Sequence, residues 1–303
     1  MPPFWRRSKF WQSLGQIGAV LLLLLVLGFL GFNLVTNLQR LNIQFGFNFL
    51  RSPAGFGIGE AVIPYQPTNS YWQALLVGLT NSLRVVLTGI VLATIVGFIA
   101  GVARLSDNWL LRQLAKVYVE FLRNTPLLLQ LLFWYTAVFL SLPSADSPLA
   151  LGFMQLSQAG VKLWGLNLSS EFGALLLGLT LYTGTFIAEI VRGGIQSVPQ
   201  GQWEAARSLG LPTGLALRKI IIPQAMRTII PSLGNQYLNL SKNSSLAIAI
   251  GYPDLYTTAS TTFNQTGRAV EVMILISLTY LTVSLLISLL LNWYNRRIQF
   301  VAR

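Results

Sequence analysis

The chain has 303 residues, 53% of them hydrophobic and only 10% charged, with 21 Lys and Arg against nine Asp and Glu and a formal net charge of +12. A soluble domain would be charged at about a quarter of its positions, so this composition and a mean hydropathy of +0.59 place most of the chain in lipid. The absence of His and Cys excludes thiol nucleophiles, Ser-His and Cys-His dyads, zinc fingers, haem ligation and disulfides.

A hydrocarbon core about 30 Å thick takes about 20 apolar residues per helix. Six segments meet that demand: 17–36, 85–103, 126–142, 172–191, 231–251 and 272–291. Residues 1–16 form a tail carrying Arg6, Arg7 and Lys9. The apolar run after it is too long for a cleaved or twin-arginine signal and lacks a small-x-small site, so 17–36 reads as a retained N-terminal span. Residues 37–74 bring Phe45, Phe47, Phe49, Phe56, Tyr65, Tyr71 and Trp72 among Gly, Pro and Asn, a mixture suited to the outer membrane interface. The glycines at 55, 57 and 59 have no strand-helix context and are no dinucleotide loop. Arg84, at the outer edge of the second span, is expected to snorkel to the interface rather than bind a solute.

In 104–124 and at the end of the fourth span, Glu120 with Arg123 and Glu189 with Arg192 stand three residues apart, a spacing that allows a bridge on one helix face. Two readings stay open: local surface pairs worth well under about 1 kcal/mol, or braces for the segment that follows. Thr125 and Pro126 read as N-cap and first helical residue of the third span. Residues 143–170, rich in Pro, Gly and Ser, read as a second external loop.

The 192–230 segment is long and punctuated. Pro199 can open a helix and Gly210 stands where a left-handed C-terminal cap belongs, which predicts a helix of about three turns. Thr213 offers an N-cap for a second helix, and Pro223 marks a further start or kink. The fifth span is unusually polar. Asn235, Asn239 and Lys242 recur at spacings of four and three and share one face, with Asn243, Ser244 and Ser245 following. A Lys near mid-bilayer costs about 2.5–3.5 kcal/mol unless it meets water or a partner. Either this face lines a hydrated pathway, or Lys242 is paired structurally with a carboxylate. Glu271, just before the sixth span, is a candidate for an ammonium group by position alone. The turn at Gly251-Tyr252-Pro253-Asp254-Leu255-Tyr256 reads equally as a gate or docking surface and as an ordinary turn.

Placing the first cationic cluster in the cytosol puts 15 Lys and Arg in the cytosolic segments 1–16, 104–124, 192–230 and 292–303 and four on the other side. Both termini are then cytosolic. The basicity is topological and implies no nucleic-acid partner.

The stretch Gly201-Gln202-Trp203-Glu204-Ala205-Ala206-Arg207-Ser208-Leu209-Gly210 resembles the EAA signature of permease subunits of ABC importers. The blocks Ala188 to Pro199, Pro223 to Pro231, Tyr118 to Leu128 and Leu240 to Leu246 are similar to the branch that imports polar amino acids, and 37–74 and 143–170 resemble its general amino-acid members. The resemblance spans about 75–295. It implies an all-α polytopic membrane protein of six transmembrane helices, a type I importer permease core of five helices (75–295, with 192–230 as its coupling segment) preceded by one extra N-terminal helix and followed by a tail at 296–303. It further implies two cytosolic ABC ATPase subunits, a second permease subunit, identical or a paralogue, a periplasmic amino-acid-binding protein, an amino-acid substrate and surrounding membrane lipid. Gln202, Trp203, Glu204, Ala205, Ala206 and Gly210 would meet the ATPase, Glu204 pairing with a basic group and Gly210 allowing the sharp turn. Asn235, Asn239, Lys242, Asn243, Ser244 and Glu271 are the pathway candidates, and Glu120, Arg123, Thr125, Pro126, Glu189 and Arg192 the bracing ones. No phosphate-binding G-x-x-x-x-G-K-[ST] is present, so this chain is expected to bind no cofactor and to leave ATP and Mg²⁺ to its partner. The alternative, an ion-gradient-driven transporter or channel, would need coupling carboxylates or His inside spans, and only Glu189 qualifies.

Overall fold

A computed structural model describes residues 8–40 and 45–299. Arg6, Arg7 and the end of the C-terminal tail, both named above, lie outside the described residues. The chain divides into two compact units, 1–48 and 49–303. The first is built on α1 (Ser8–Arg40), whose central run of Leu and Val is apolar on every side, as a lipid-embedded helix is.

The second unit contains α2 (Tyr71–Ala103), α3 (Trp109–Arg123), α4 (Leu127–Leu132), α5 (Ser170–Gln196), α6 (Gln200–Ser208), α7 (Thr213–Ala216), α8 (Ile222–Asn243), α9 (Leu255–Thr266) and α10 (Ala269–Gln299). Among the described residues four helices are long and apolar enough to cross a membrane: 14–40, α2, α5 and 269–296. The other two expected spans are also helical. The 126–142 segment is shorter, α4 passing into a π turn and a 3-10 turn that ends at Ser141. The 231–251 segment is the more polar α8, extended by a 3-10 turn from Ser244 to Ile250.

Sequence fixes the helix ends. Ser70 and Gln73 form a reciprocal capping box on α2, Asn108 and Ser169 cap α3 and α5, and Asp254 caps α9 through the Thr257 N–H at 2.8 Å. Such caps satisfy amide groups a helix start leaves bare. Pro126 is itself the N-cap residue of α4. Thr125 does not cap: its hydroxyl donates back to Phe121 O at 2.8 Å, the usual alternative for a threonine one turn after a free helical carbonyl.

The core forms where α2 crosses α5. A β-carbon on Gly97 would lie 2.5 Å from Ile187 Cβ, and one on Gly101 2.6 Å from the Ala188 carbonyl. The two backbones therefore touch, the close packing that small residues permit between apolar helices. Val86, Ala93, Ile187, Val191 and Ile195 continue this contact into α8 through Ile229 and Leu240.

The 143–170 segment departs from the loop expectation. It folds as a four-stranded antiparallel meander, β1 (Leu149–Leu151), β2 (Met154–Ser157), β3 (Gly160–Leu163) and β4 (Leu166–Ser169), so the chain is not purely α. The β3–β4 turn holds Trp164 at φ 46° before Gly165 at φ 83°. A left-handed backbone of this kind disfavours a bulky residue.

Candidate functional site

At one end of the second unit, α5 stops at Gln196 and the chain breaks at Val198-Pro199, because the residue before a proline avoids the helical region. The next helix, α6, starts after Pro199, which sits at the N-cap with ψ 137° rather than inside the helix. It closes on a Schellman motif: Gly210, at φ +70°, donates to Arg207 O at 2.9 Å, and Leu211 donates to Ala206 O at 3.1 Å. Only a residue tolerant of positive φ completes this turn without strain. Pro212, not Thr213, is the N-cap residue of α7.

One face of α6 is anchored. Ala206 is fully buried and Trp203 packs on the cluster of Val191, Ile195, Val198 and Ile221. Gln202 accepts from Gln224 Nε2 at 3.0 Å, which ties α6 to α8. The other face is bare: Glu204, Ala205 and Leu209 are exposed, Leu209 at 75%, and no basic group among the described residues lies within 4 Å of Glu204. Leu209 is not among the residues expected to meet a partner; its signal in the sequence is an apolar residue at the capped end of a polar helix. Beside α6 lies a cavity of about 830 Å³ reaching Phe98, Val102, Asp107, Trp203, Glu204 and Arg207.

On α5, Glu189 gathers two guanidiniums. It takes Arg192 in a two-point contact at 2.8 and 2.9 Å, as the spacing suggested, and also the guanidinium of Arg104 from the end of α2. Arg192 goes on to Gln196 Oε1 at 2.6 Å. Burial, then the nearby Arg192, lowers the pKa of Arg104, while Glu120 opposes this. The Glu120–Arg123 bridge does not form. Glu120 faces Lys116 at 3.8 Å, and Arg123, itself exposed, lies over the Phe186 ring at 5.4 Å, where the aromatic face attracts a guanidinium.

On α8, Asn235, Asn239 and Lys242 form one exposed row. Among the described residues no carboxylate lies within 4 Å of Lys242. Asn243 is half-buried, and Ser244 leaves the row altogether, buried with its hydroxyl donating to Ser241 O at 2.8 Å. Glu271 is 1% exposed in the first turn of α10, with Arg268 at 3.3 Å.

At the far end Arg84 does not snorkel freely. It pairs with Glu60 at 2.5 Å and stacks on Phe172 at 4.2 Å. Glu60 also accepts from Ser169, and Asn81 Nδ2 donates to the carbonyls of Glu60 and Pro253, each at 2.8 Å. The 49–70 segment is thereby fastened to α2, α5 and the 251–254 turn, and the side-chain pair Glu60–Arg84 was invisible to a reading that treated the segment as interfacial.

A profile of the binding-protein-dependent transport system inner membrane component family matches residues 89–300. The Escherichia coli chain YhdX, named provisionally as an amino-acid ABC transporter permease, is 42% identical over 95% of this chain and 94% of its own length. The general L-amino acid transport system permease protein AapQ of Rhizobium johnstonii is 37% identical over 98% of this chain and 93% of its own. Among solved structures, an amino acid ABC transporter crystallised with histidines aligns at a TM-score of 0.61 and 31% identity, over 75% of this chain and 95% of that one.

Proposed function

Because the chain belongs to the family of binding-protein-dependent transport system inner membrane components, and is a transport component rather than an enzyme, we propose that it is the translocating subunit of an ATP-driven amino-acid importer. The observation that carries this reading is α6, a nine-residue helix with a closed C-terminal turn, one face seated on α5 and α8 and the other bare at Glu204 and Leu209. Work done on a separate ATPase reaches the spans only through an element that does not fray under load. A capped helix stapled to two spans has that stiffness.

In this reading the α6 end and both termini face the cytosol, in keeping with the cation count. Two ATPase subunits, which bind ATP and Mg²⁺, seat the α6 helices of two permease chains, Glu204 meeting a basic group and Leu209 an apolar recess. Motion of α6 passes to α5 directly and to α2 through Glu189 and Arg104. A periplasmic binding protein delivers the amino acid to the opposite face. Asn235, Asn239 and Lys242 line the path between the two permeases, Lys242 offering its ammonium to the substrate α-carboxylate. Direction comes from the ATPase cycle, since a solute shifts a two-state protein only by its differential affinity for the states. An ion-gradient mechanism would rely on Glu189, whose charge is already taken by two guanidiniums.

The test is uptake of a labelled amino-acid mixture into liposomes holding the co-purified complex and its binding protein. Uptake should require ATP and the binding protein together. Uptake driven by an ion gradient in the absence of ATP would overturn the proposal.

A further inference from the structure

The helix α3 presents three distinct sectors around its axis, as a 100° step per residue allows. The first faces the protein: Ala115 and Val119 are buried, Val119 against Ala100 and Ala188, and the Tyr118 hydroxyl donates to Leu181 O at 2.8 Å. The second is bare and apolar, with Leu110, Leu114, Val117 and Phe121 between 54% and 68% exposed. The third is polar and cationic, carrying Arg112, Lys116, Arg123 and Glu120.

This helix is not a span. Its 15 residues reach about 22 Å, short of a hydrocarbon core of about 30 Å, and it holds four charged side chains. It follows α2 after a five-residue link and stops at the Asn124-Thr125-Pro126 break where α4 begins. It therefore lies at the level where one span ends and the next starts. A helix that shows one apolar and one cationic sector at that level matches the boundary between acyl chains and headgroups.

The cations are not spent within the protein. The Lys116–Glu120 contact, at 3.8 Å between half-exposed side chains, contributes little. Arg112 donates to the Ser106 carbonyl at 3.0 Å and Arg123 lies over Phe186. Neither has a carboxylate within 4 Å among the described residues. Both contacts leave the positive charge in place.

We propose that α3 docks on the leaflet at the α6 end, seating acyl chains on Leu110, Leu114, Val117 and Phe121 and holding an anionic phospholipid headgroup with Arg112, Lys116 and Arg123. Under the orientation given above this is the cytosolic leaflet, whose acidic lipids favour each nearby cation by about fivefold in partitioning. Leu111 of α3 and Asp107 before it share the cavity with Trp203 and Glu204 of α6. Lipid charge at α3 is thereby adjacent to the coupling helix.

The test compares the complete transporter, wild type and R112Q/K116Q, in nanodiscs of neutral phosphatidylcholine with and without phosphatidylglycerol, with retained lipids counted by native mass spectrometry. Wild type should retain phosphatidylglycerol, and the double variant should hold it about 25-fold less well. Equal retention by both would overturn the proposal. A second measurement places a cysteine at Phe121 in this cysteine-free chain. Labelling by a lipid-borne maleimide supports lipid contact, whereas cross-linking to a second permease chain would assign the apolar sector to a protein interface and overturn it. Both readouts are taken without transport, so their failure leaves the importer reading standing, and failure of uptake leaves them standing.

Discussion

Gly201 stands inside the nine-residue helix α6 and Gly210 in the turn that closes it, and alanine at the two positions should act with opposite sign. Gly210 has φ +70° and nothing within 4 Å of where a β-carbon would sit, so the cost of Gly210→Ala is backbone strain alone, about 1–2 kcal/mol for a left-handed L-residue. That cost falls on the Gly210 and Leu211 N–H bonds that close the helix. Gly201 is helical with equally open space, and alanine there should strengthen α6 by about 0.5 kcal/mol, the low end of the helical Gly-to-Ala range. Hydrogen exchange of the 205–211 amides in the assembled complex should rise about 5- to 30-fold in Gly210→Ala and fall slightly in Gly201→Ala. Reconstituted uptake per ATP hydrolysed should drop in the first variant and hold in the second. If Gly210→Ala matched the wild type in both exchange and uptake per ATP, the closed turn would not be what stiffens α6.

Glu189→Gln should release both Arg104 and Arg192, a loss of about 1.5–3 kcal/mol for charge-assisted bonds between side chains 14–32% exposed; ATP hydrolysis should persist in the purified complex while uptake falls. Lys242→Met, with assembly verified by co-purification, should weaken apparent affinity or rate of uptake about tenfold, or 1.4 kcal/mol; unchanged transport would remove Lys242 from the pathway. Burial is the main reason the Asp254 carboxyl moves from 3.8 up to about 6. The folded state then binds the proton more tightly than the unfolded one, so stability falls as pH rises from about 3.8 to 6 and stays low above. Asp254→Asn keeps an oxygen for the Thr257 N–H and should melt higher than wild type at pH 7.5 but alike at pH 4, as read by thermal unfolding in detergent; equal melting at pH 7.5 would mean that the carboxylate is not penalised by burial.

The long helices were legible because an uninterrupted apolar run has one physical use. The helix at 200–208 was legible through punctuation, Pro199 at one end and Gly210 at the other, down to the left-handed cap. What escaped was contact between distant residues. Glu189 displays Arg192 three positions away, but Arg104 is 85 residues distant, and no local spacing reveals it. The same holds for Glu60 and Arg84. In 149–169 the alternation of Leu149, Leu151, Leu156, Val161, Leu163, Leu166 and Leu168 was present, yet strands of three and four residues are too brief for the period to stand out beside the Pro, Gly and Ser around them. Thr125 and Glu120 instead take partners four residues back, the Phe121 carbonyl and Lys116, local alternatives that helical spacing permits equally well.

Transmission through α6 is tested most directly by a cysteine at Glu204, since the chain has no other cysteine. Placed opposite surface cysteines of the co-purified ATPase, it should form a disulfide with that subunit, stop uptake, and restore it on reduction. A disulfide found only with the second permease, or one formed with the ATPase that leaves ATP-driven uptake at its full rate, would contradict transmission through this helix.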